Sequence, residues 1–280
     1  MPAALAVIAL ALFLAVHGGD DEPVASGERS HAVVWAVGDA DGSAEARSVA
    51  DLIESDQPDR VIYLGDIYGS GTPAQVDAGF ALVYRDLLDR VEPTPGNHEW
   101  PRHEAVYDPF WAEVKGRPQP LMYSFRVGGW EVISLNSEGF SGPDDPELAW
   151  LESRLDAGGE CRIAYWHRPR YSAGPHGDET GFQPFWDTLE GRARLILNGH
   201  DHGYQRFEPV QGLTEIVAGA GGHELYPVDE EREGLVASDD EEYGALRLEL
   251  SSGRADYEYV TVDGDVIDSG TITCDEPAGG

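Results

Sequence analysis

HAVVWAVGD, residues 31–39, is an apolar stretch of β-branched and aromatic residues that stops at Gly38 and leaves an acid, Asp39, at its end. Such a stretch, closed by glycine, reads as a buried strand. The same grammar recurs in RVIYLGD (60–66), WEVISLN (130–136), CRIAYWH (161–167), ARLILNGH (193–200) and TEIVAGAGG (214–222). Between these strands lie segments with helical spacing. Ala46, Val49, Ala50 and Ile53 share one face, as do Phe80, Val83, Tyr84 and Leu87, and then Leu148, Leu151 and Leu155. Strand alternating with helix predicts an α/β domain with a substantially parallel sheet. The β-rich stretches near 121–136 and 243–273 predict a second sheet. No linker rich in Gly, Ser and Pro divides residues 30–273, so they are expected to form one domain.

Composition narrows the class of partner. The chain has 280 residues, 41% of them apolar, enough to build a substantial core. Its 52 acidic against 19 basic residues give a formal charge of −33, and Lys115 is its one lysine. A surface of that sign repels nucleic acid and anionic membranes, so a phosphate-bearing ligand needs a local positive centre. The N-terminus reads as an address. Ala3 to Val16 is an apolar run too short to span a bilayer comfortably, followed by a polar spacer. Residues 1–27 are therefore expected to be a secretory signal with its spacer, and the chain secreted or at the cell surface; a membrane anchor at 3–16 is the alternative. An exported chain with two cysteines, Cys161 and Cys274, suggests one disulfide, against two buried thiols.

In parallel sheets ligands gather beyond the carboxyl ends of the strands. Asp39, Asp66, His167 and His200 all stand at such ends, and GNHEW (96–100) occupies an equivalent loop. Alone, GNHEW reads as an ordinary turn. Two Asp, an Asn and three His, each after a strand or tight turn and the last pair arranged as GHDH (199–202), form a less accidental set.

GDAD (38–41), GDIY (65–68), GNHE (96–99), the His of YWHRP (165–169) and GHDH (199–202) follow the order of motifs in the calcineurin-like metallophosphoesterases. YWHRPRYSAGPHGD and LILNGHDHGYQRF resemble the purple acid phosphatase side of that superfamily most. The resemblance covers roughly residues 33–225 and implies a four-layer α/β/β/α sandwich with mixed sheets carrying two metal ions, Fe, Mn or Zn. It places Asp39 and His202 on the first ion, Asn97, His167 and His200 on the second, and Asp66 between them. The implied chemistry is hydrolysis of a small phosphate monoester by a metal-held hydroxide, with His98 as general acid. Phosphodiester or nucleotide hydrolysis at the same centre and a non-catalytic metal-binding module are the alternatives. Glu99 is expected to orient an imidazole, and His176 and Arg168 to contact substrate.

The chain departs from the family pattern at the first ion. Many relatives have His two residues after the first Asp, where this chain has Asp41. Purple acid phosphatases have Tyr three residues after the bridging Asp, whereas Tyr68 follows Asp66 by two. Either Tyr68 or Asp41 fills the vacancy. A phenolate implies ferric iron and a visible colour, and a carboxylate a harder, colourless divalent ion. The acid-rich, lysine-poor composition also resembles that of salt-adapted proteins. Activity and melting temperature are expected to rise between low and molar salt, and their failure to do so contradicts that origin of the charge.

Overall fold

The computed structural model describes residues 30–69, 71–156 and 161–274. The expected signal or anchor, residues 1–27, lies outside the described residues. Among the described residues no helix is long and apolar enough to cross a membrane.

Two sheets face one another. The first has six strands in the order β13-β12-β11-β1-β2-β3: β1 (His31–Val37), β2 (Arg60–Tyr63), β3 (Val91–Pro93), β11 (Gly244–Ser251), β12 (Arg254–Thr261) and β13 (Val266–Thr273). The second has seven in the order β10-β8-β9-β7-β6-β5-β4: β4 (Tyr123–Val127), β5 (Trp130–Ser134), β6 (Arg162–Tyr165), β7 (Leu195–Asn198), β8 (Tyr204–Phe207), β9 (Thr214–Ala218) and β10 (Leu235–Asp239). In the first sheet the parallel run β1-β2-β3 forms one edge and meets antiparallel strands at β11, whereas in the second the parallel run β5-β6-β7-β9 has antiparallel strands on both sides.

The period of two along each strand deals its side chains to different cores. In β1, Trp35 and Val37 pack outward against α1 (Ala44–Ser55) and α4 (Tyr107–Lys115), while Val34 and Ala36 pack inward between the sheets. In β7, Leu195 and Leu197 point into that inter-sheet core and Ile196 outward, beneath α5 (Pro146–Asp156) and α6 (Gln183–Leu189). Three cores separate four layers, the α/β/β/α sandwich expected from the sequence. Cys161 and Cys274 form the disulfide, tying the residue before β6 in one sheet to the residue after β13 in the other.

Two expectations need correction. The β-rich stretches 121–136 and 243–273 do not make a sheet together. β4 and β5 close one edge of the second sheet, whereas β11 pairs antiparallel with β1 and carries β12 and β13 to the edge of the first. The apolar face at 80–87 does not belong to one regular helix either. The chain runs through α2 (Pro73–Gln75), a π-helical turn at Val76–Phe80 and α3 (Ala81–Val83) before turning away. The wide turn presses Gly79 against Gly42 in the loop after β1, where a Cβ on Gly42 would lie 3.1 Å from the Gly79 Cα.

Glu147, buried at the start of α5, accepts the Asn136 N–H at 2.6 Å, and burial pushes its carboxyl up to about 8. Its ordinary value is 4.5. Between those values the folded chain holds a proton that the unfolded chain has released, so this group lowers stability as pH climbs through that window. Glu147→Gln keeps an acceptor for Asn136 and removes the titration. Urea unfolding at pH 5 and pH 8 is expected to show the variant losing less stability than the parent across that interval, by on the order of 2 kcal/mol; equal losses contradict the assignment.

Candidate metal centre

Six of the strands in the parallel runs, three from each sheet, lead into loops that carry the candidate residues. β1 leads to Asp39, β2 to Asp66, β3 to Asn97, β6 to His167, β7 to His200 and His202, and β9 to His223. Three of these residues adopt the left-handed backbone region: Asp39 (φ 60°), Asp66 (φ 56°) and His200 (φ 72°). That conformation costs a non-glycine residue roughly 1–2 kcal/mol and clusters at functional sites. Here it turns each side chain off the end of its strand into the space between the sheets.

Asp66, His167 and His200 bring one ligating atom each to within 4.8 Å of one another. His167 Nδ1 lies 2.8 Å from the Leu64 carbonyl, which must accept its N–H. Its Nε2 then faces Asn97 Oδ1 at 3.0 Å, His200 Nδ1 at 3.2 Å and Asp66 Oδ2 at 3.3 Å. These are the four residues expected around the second ion. On the other side, Asp39 accepts the His200 N–H at 2.8 Å through Oδ2, and its Oδ1 faces His202 Nε2 at 3.7 Å. His202 is set by a contact of Nδ1 with the Glu224 carbonyl (2.8 Å) and by stacking on Tyr226.

Charge in this space is poorly compensated. Burial pushes the Asp39 carboxyl well above the ordinary carboxylate range. Burial also opposes ionisation of Asp66, but the His167 charge and hydrogen bond and the nearby His98 hold it below that range. Burial opposes charge on His167 too, and is overridden by Asp66, which pushes the imidazole up to about 10. His202 is held down to about 4, chiefly by burial, and His200 well below the ordinary range by burial and the His167 charge. Asp39 Oδ1 and the Tyr68 hydroxyl are buried without a hydrogen-bond partner among the described residues. Cations fit this set: they give the orphaned oxygens partners and replace the proton on His167.

Glycines make the room. A Cβ on Gly96 would lie 2.1 Å from Asp66 Oδ1, and on Gly199 and Gly219 it would lie 2.5 and 2.8 Å from Asp39 Oδ2.

The remaining expected residues fall as follows. Tyr68 is buried in the core beneath α1 and α4, and burial pushes its hydroxyl far above the ordinary range. Asp41 accepts the Ser43 N–H at 2.7 Å and so shapes the entry to α1. His98 is exposed, with Nδ1 2.6 Å from the Gly69 carbonyl and Nε2 3.7 Å from Asp66 Oδ2. His176 approaches from the 172–181 loop, its ring 4.1 Å from that of His200 and its Nδ1 2.7 Å from Asp201 Oδ1. Arg168 donates to Glu138 at 2.8 Å and lies 3.1 Å from His200 Nε2. Arg206, the other arginine near these motifs in sequence, is taken up by an ion pair with Asp268.

Glu99 does not orient an imidazole. It accepts the N–H groups of Gly96 and Asp66 at 2.7 Å and of Ile67 at 3.0 Å, and so stitches the loop after β3 to the loop after β2. His223, which the motifs do not include, belongs to the rim. Its N–H donates to the Asp39 carbonyl, and its ring lies 5.0 Å from that of His202 and 6.5 Å from that of His98. The one sequence signal for it is the GAGG that precedes it, a strand end like the others.

Residues 31–204 match the Calcineurin-like phosphoesterase family, and the chain belongs to it. Among its relatives, probable purple acid phosphatase 20 of Arabidopsis thaliana is 28% identical over 187 residues, 52% of this chain and 44% of that protein. The chain thus matches less than half the length of that plant relative. Purple acid phosphatase PPD1 from yellow lupin seeds superposes with a TM-score of 0.71 at 18% identity, covering 87% of this chain and 54% of that one. GAP50, the anchor in the inner membrane complex of Plasmodium, superposes at 0.74 with 15% identity, covering 88% and 90%. The structural likenesses show the shared fold.

Gly96→Ala is expected to retain native far-UV circular dichroism while losing at least half of the bound metal by elemental analysis, because the added methyl displaces Asp66. Full metal content in that variant contradicts the assignment of Asp66.

Proposed function

We propose that this protein is a dinuclear metal-dependent phosphoesterase acting on small phosphate monoesters. The observation that carries the reading is the convergence, at the carboxyl ends of parallel strands from both sheets, of the carboxylates, amide and imidazoles that such a centre needs, with Asp39 Oδ1 buried and without a hydrogen-bond partner among the described residues. Asp39, Asp66 and His202 would hold the first ion, and Asp66, Asn97, His167 and His200 the second. Tyr68 or Asp41 would complete the first site. The orphaned, buried hydroxyl favours Tyr68, since Asp41 is already engaged with Ser43. Iron, manganese and zinc all suit this oxygen and nitrogen donor set. The ions, when bound, supply positive charge for the phosphoryl oxygens and lower the pKa of water toward neutrality.

The chain's own residues do the rest. The Gly69 carbonyl can only accept, so Nδ1 of His98 carries a proton and Nε2 faces Asp66 and the centre. His98 is thereby placed to deliver a proton from Nε2 to the leaving alkoxide. Asp201, buried, fixes His176 through Nδ1 and leaves its other nitrogen for a phosphoryl oxygen. Arg168, braced by Glu138 beside His200, adds positive charge at the second site.

The disulfide supports an oxidising compartment, and with the apolar N-terminus it favours export. The charge of −33 disfavours polymeric nucleic acid as substrate. A second reading, a non-catalytic module on this fold, draws support from the likeness to an anchor protein. A chromogenic monoester and its matching diester, assayed with and without chelator, separate these readings: chelator-sensitive preference for the monoester supports the proposal, and metal binding without turnover supports the module.

His98→Ala is expected to lower kcat about 100-fold or more while retaining the parent's metal content. Unchanged turnover rules out the role.

A further inference from the structure

A recess of about 250 Å³ opens beside the first-ion side of the centre. Tyr68 and Gly69, which follow Asp66, line it, as do Asp41 and Gly42, which follow Asp39. Its far side is Ala78 and Gly79 of the π-helical turn. Gly42 approaches Gly79 so closely that a Cβ on Gly42 would lie 3.1 Å from the Gly79 Cα. Gly69 joins the recess to the site: its carbonyl lies against His98 Nδ1, and a Cβ on it would stand 3.9 Å from Nε2 of His223. The recess therefore begins where these two imidazoles meet.

We propose that this recess is the leaving-group subsite and that it takes one uncharged ring or a short alkyl group, the alcohol portion of a phosphate monoester. The inference rests on the phosphoesterase reading. An ester oxygen that takes its proton from Nε2 of His98 lies between that ring and the centre, and Gly69, which reaches from His98 to His223, sets the recess beside it for the organic group. Size decides what fits. A cavity of about 150 Å³ accommodates benzene, so a recess of 250 Å³ covers one substituted ring, whereas a base together with its ribose extends beyond it into solvent. Charge decides further: the carboxylate in the lining, Asp41, repels a leaving group bearing a second phosphate or a carboxylate. Neutral phenols and small alcohols meet both conditions, a nucleoside fails the first, and the leaving group of a nucleoside di- or triphosphate fails both.

Calorimetric titration of the metal-loaded protein with phenylphosphonate, methylphosphonate and inorganic phosphate tests this without requiring turnover. Phenylphosphonate is expected to bind about tenfold tighter than methylphosphonate. Ala78 is exposed, so Ala78→Leu fills the recess without touching the core. It is expected to erase most of that preference and leave inorganic phosphate unchanged. Equal affinities for the two phosphonates in the parent protein overturn the subsite with no variant needed, as does a preference that survives Ala78→Leu intact. Retained preference without hydrolysis of any monoester overturns the phosphoesterase reading and leaves the subsite standing. Failure of all three ligands to bind overturns both.

Discussion

Buried negative charge at one end of an apolar sandwich is the constraint around which the molecule is built. Asp39, Asp66 and Glu99 are each almost wholly withdrawn from water, a state that is strongly unfavourable for carboxylates without partners. Glu99 meets the requirement with three backbone N–H groups. Asp66 does so in part, through the His98 N–H and His167. Asp39 keeps one oxygen without a hydrogen-bond partner among the described residues. The left-handed turns and the glycines at 96, 199 and 219 follow from crowding these groups together. A site assembled at such expense in strain and desolvation is arranged for cations.

Much of this was legible in the sequence because it is local. The alternation in HAVVWAVGD and its counterparts fixes which residues face inward, and an acid or imidazole just past the last apolar position falls at a strand end whatever the sheet order. The disulfide was legible for a different reason, the even cysteine count in a chain read as exported. What was hidden depends on partners distant in sequence. The sheet that takes β11–β13 is decided by the pairing of Leu248 with Val34 across some 210 residues, which no local pattern encodes. Glu99 looked like a companion for imidazole because it follows His98, yet the backbone curls so that its carboxylate meets N–H groups of another loop. Phe80, Val83, Tyr84 and Leu87 do present one apolar face, but Gly79 against Gly42 imposes a wider turn before it. His223 carries no motif of its own and reaches the rim only through the main-chain bond to Asp39.

The fold alone does not choose a function, since a purple acid phosphatase and a membrane-complex anchor both superpose on it. The choice lies in side chains. A surface of formal charge −33 gathers cations and turns away polyanions, whereas the imidazoles of His98, His176 and His223 and the Arg168 guanidinium gather around the carboxylates at the strand ends. Surface and site thus differ in sign: the first is dominated by carboxylates, and the second sets imidazoles and a guanidinium among them.

Titration of metal-stripped protein with ferric and divalent ions, followed by elemental analysis and absorption spectroscopy, tests the central claim most directly. The account predicts saturation at two ions per chain, with a visible charge-transfer band under iron loading if Tyr68 completes the first site. Saturation at a single ion, or no tight binding at all, would show that Asp66 does not bridge a pair and would contradict the account.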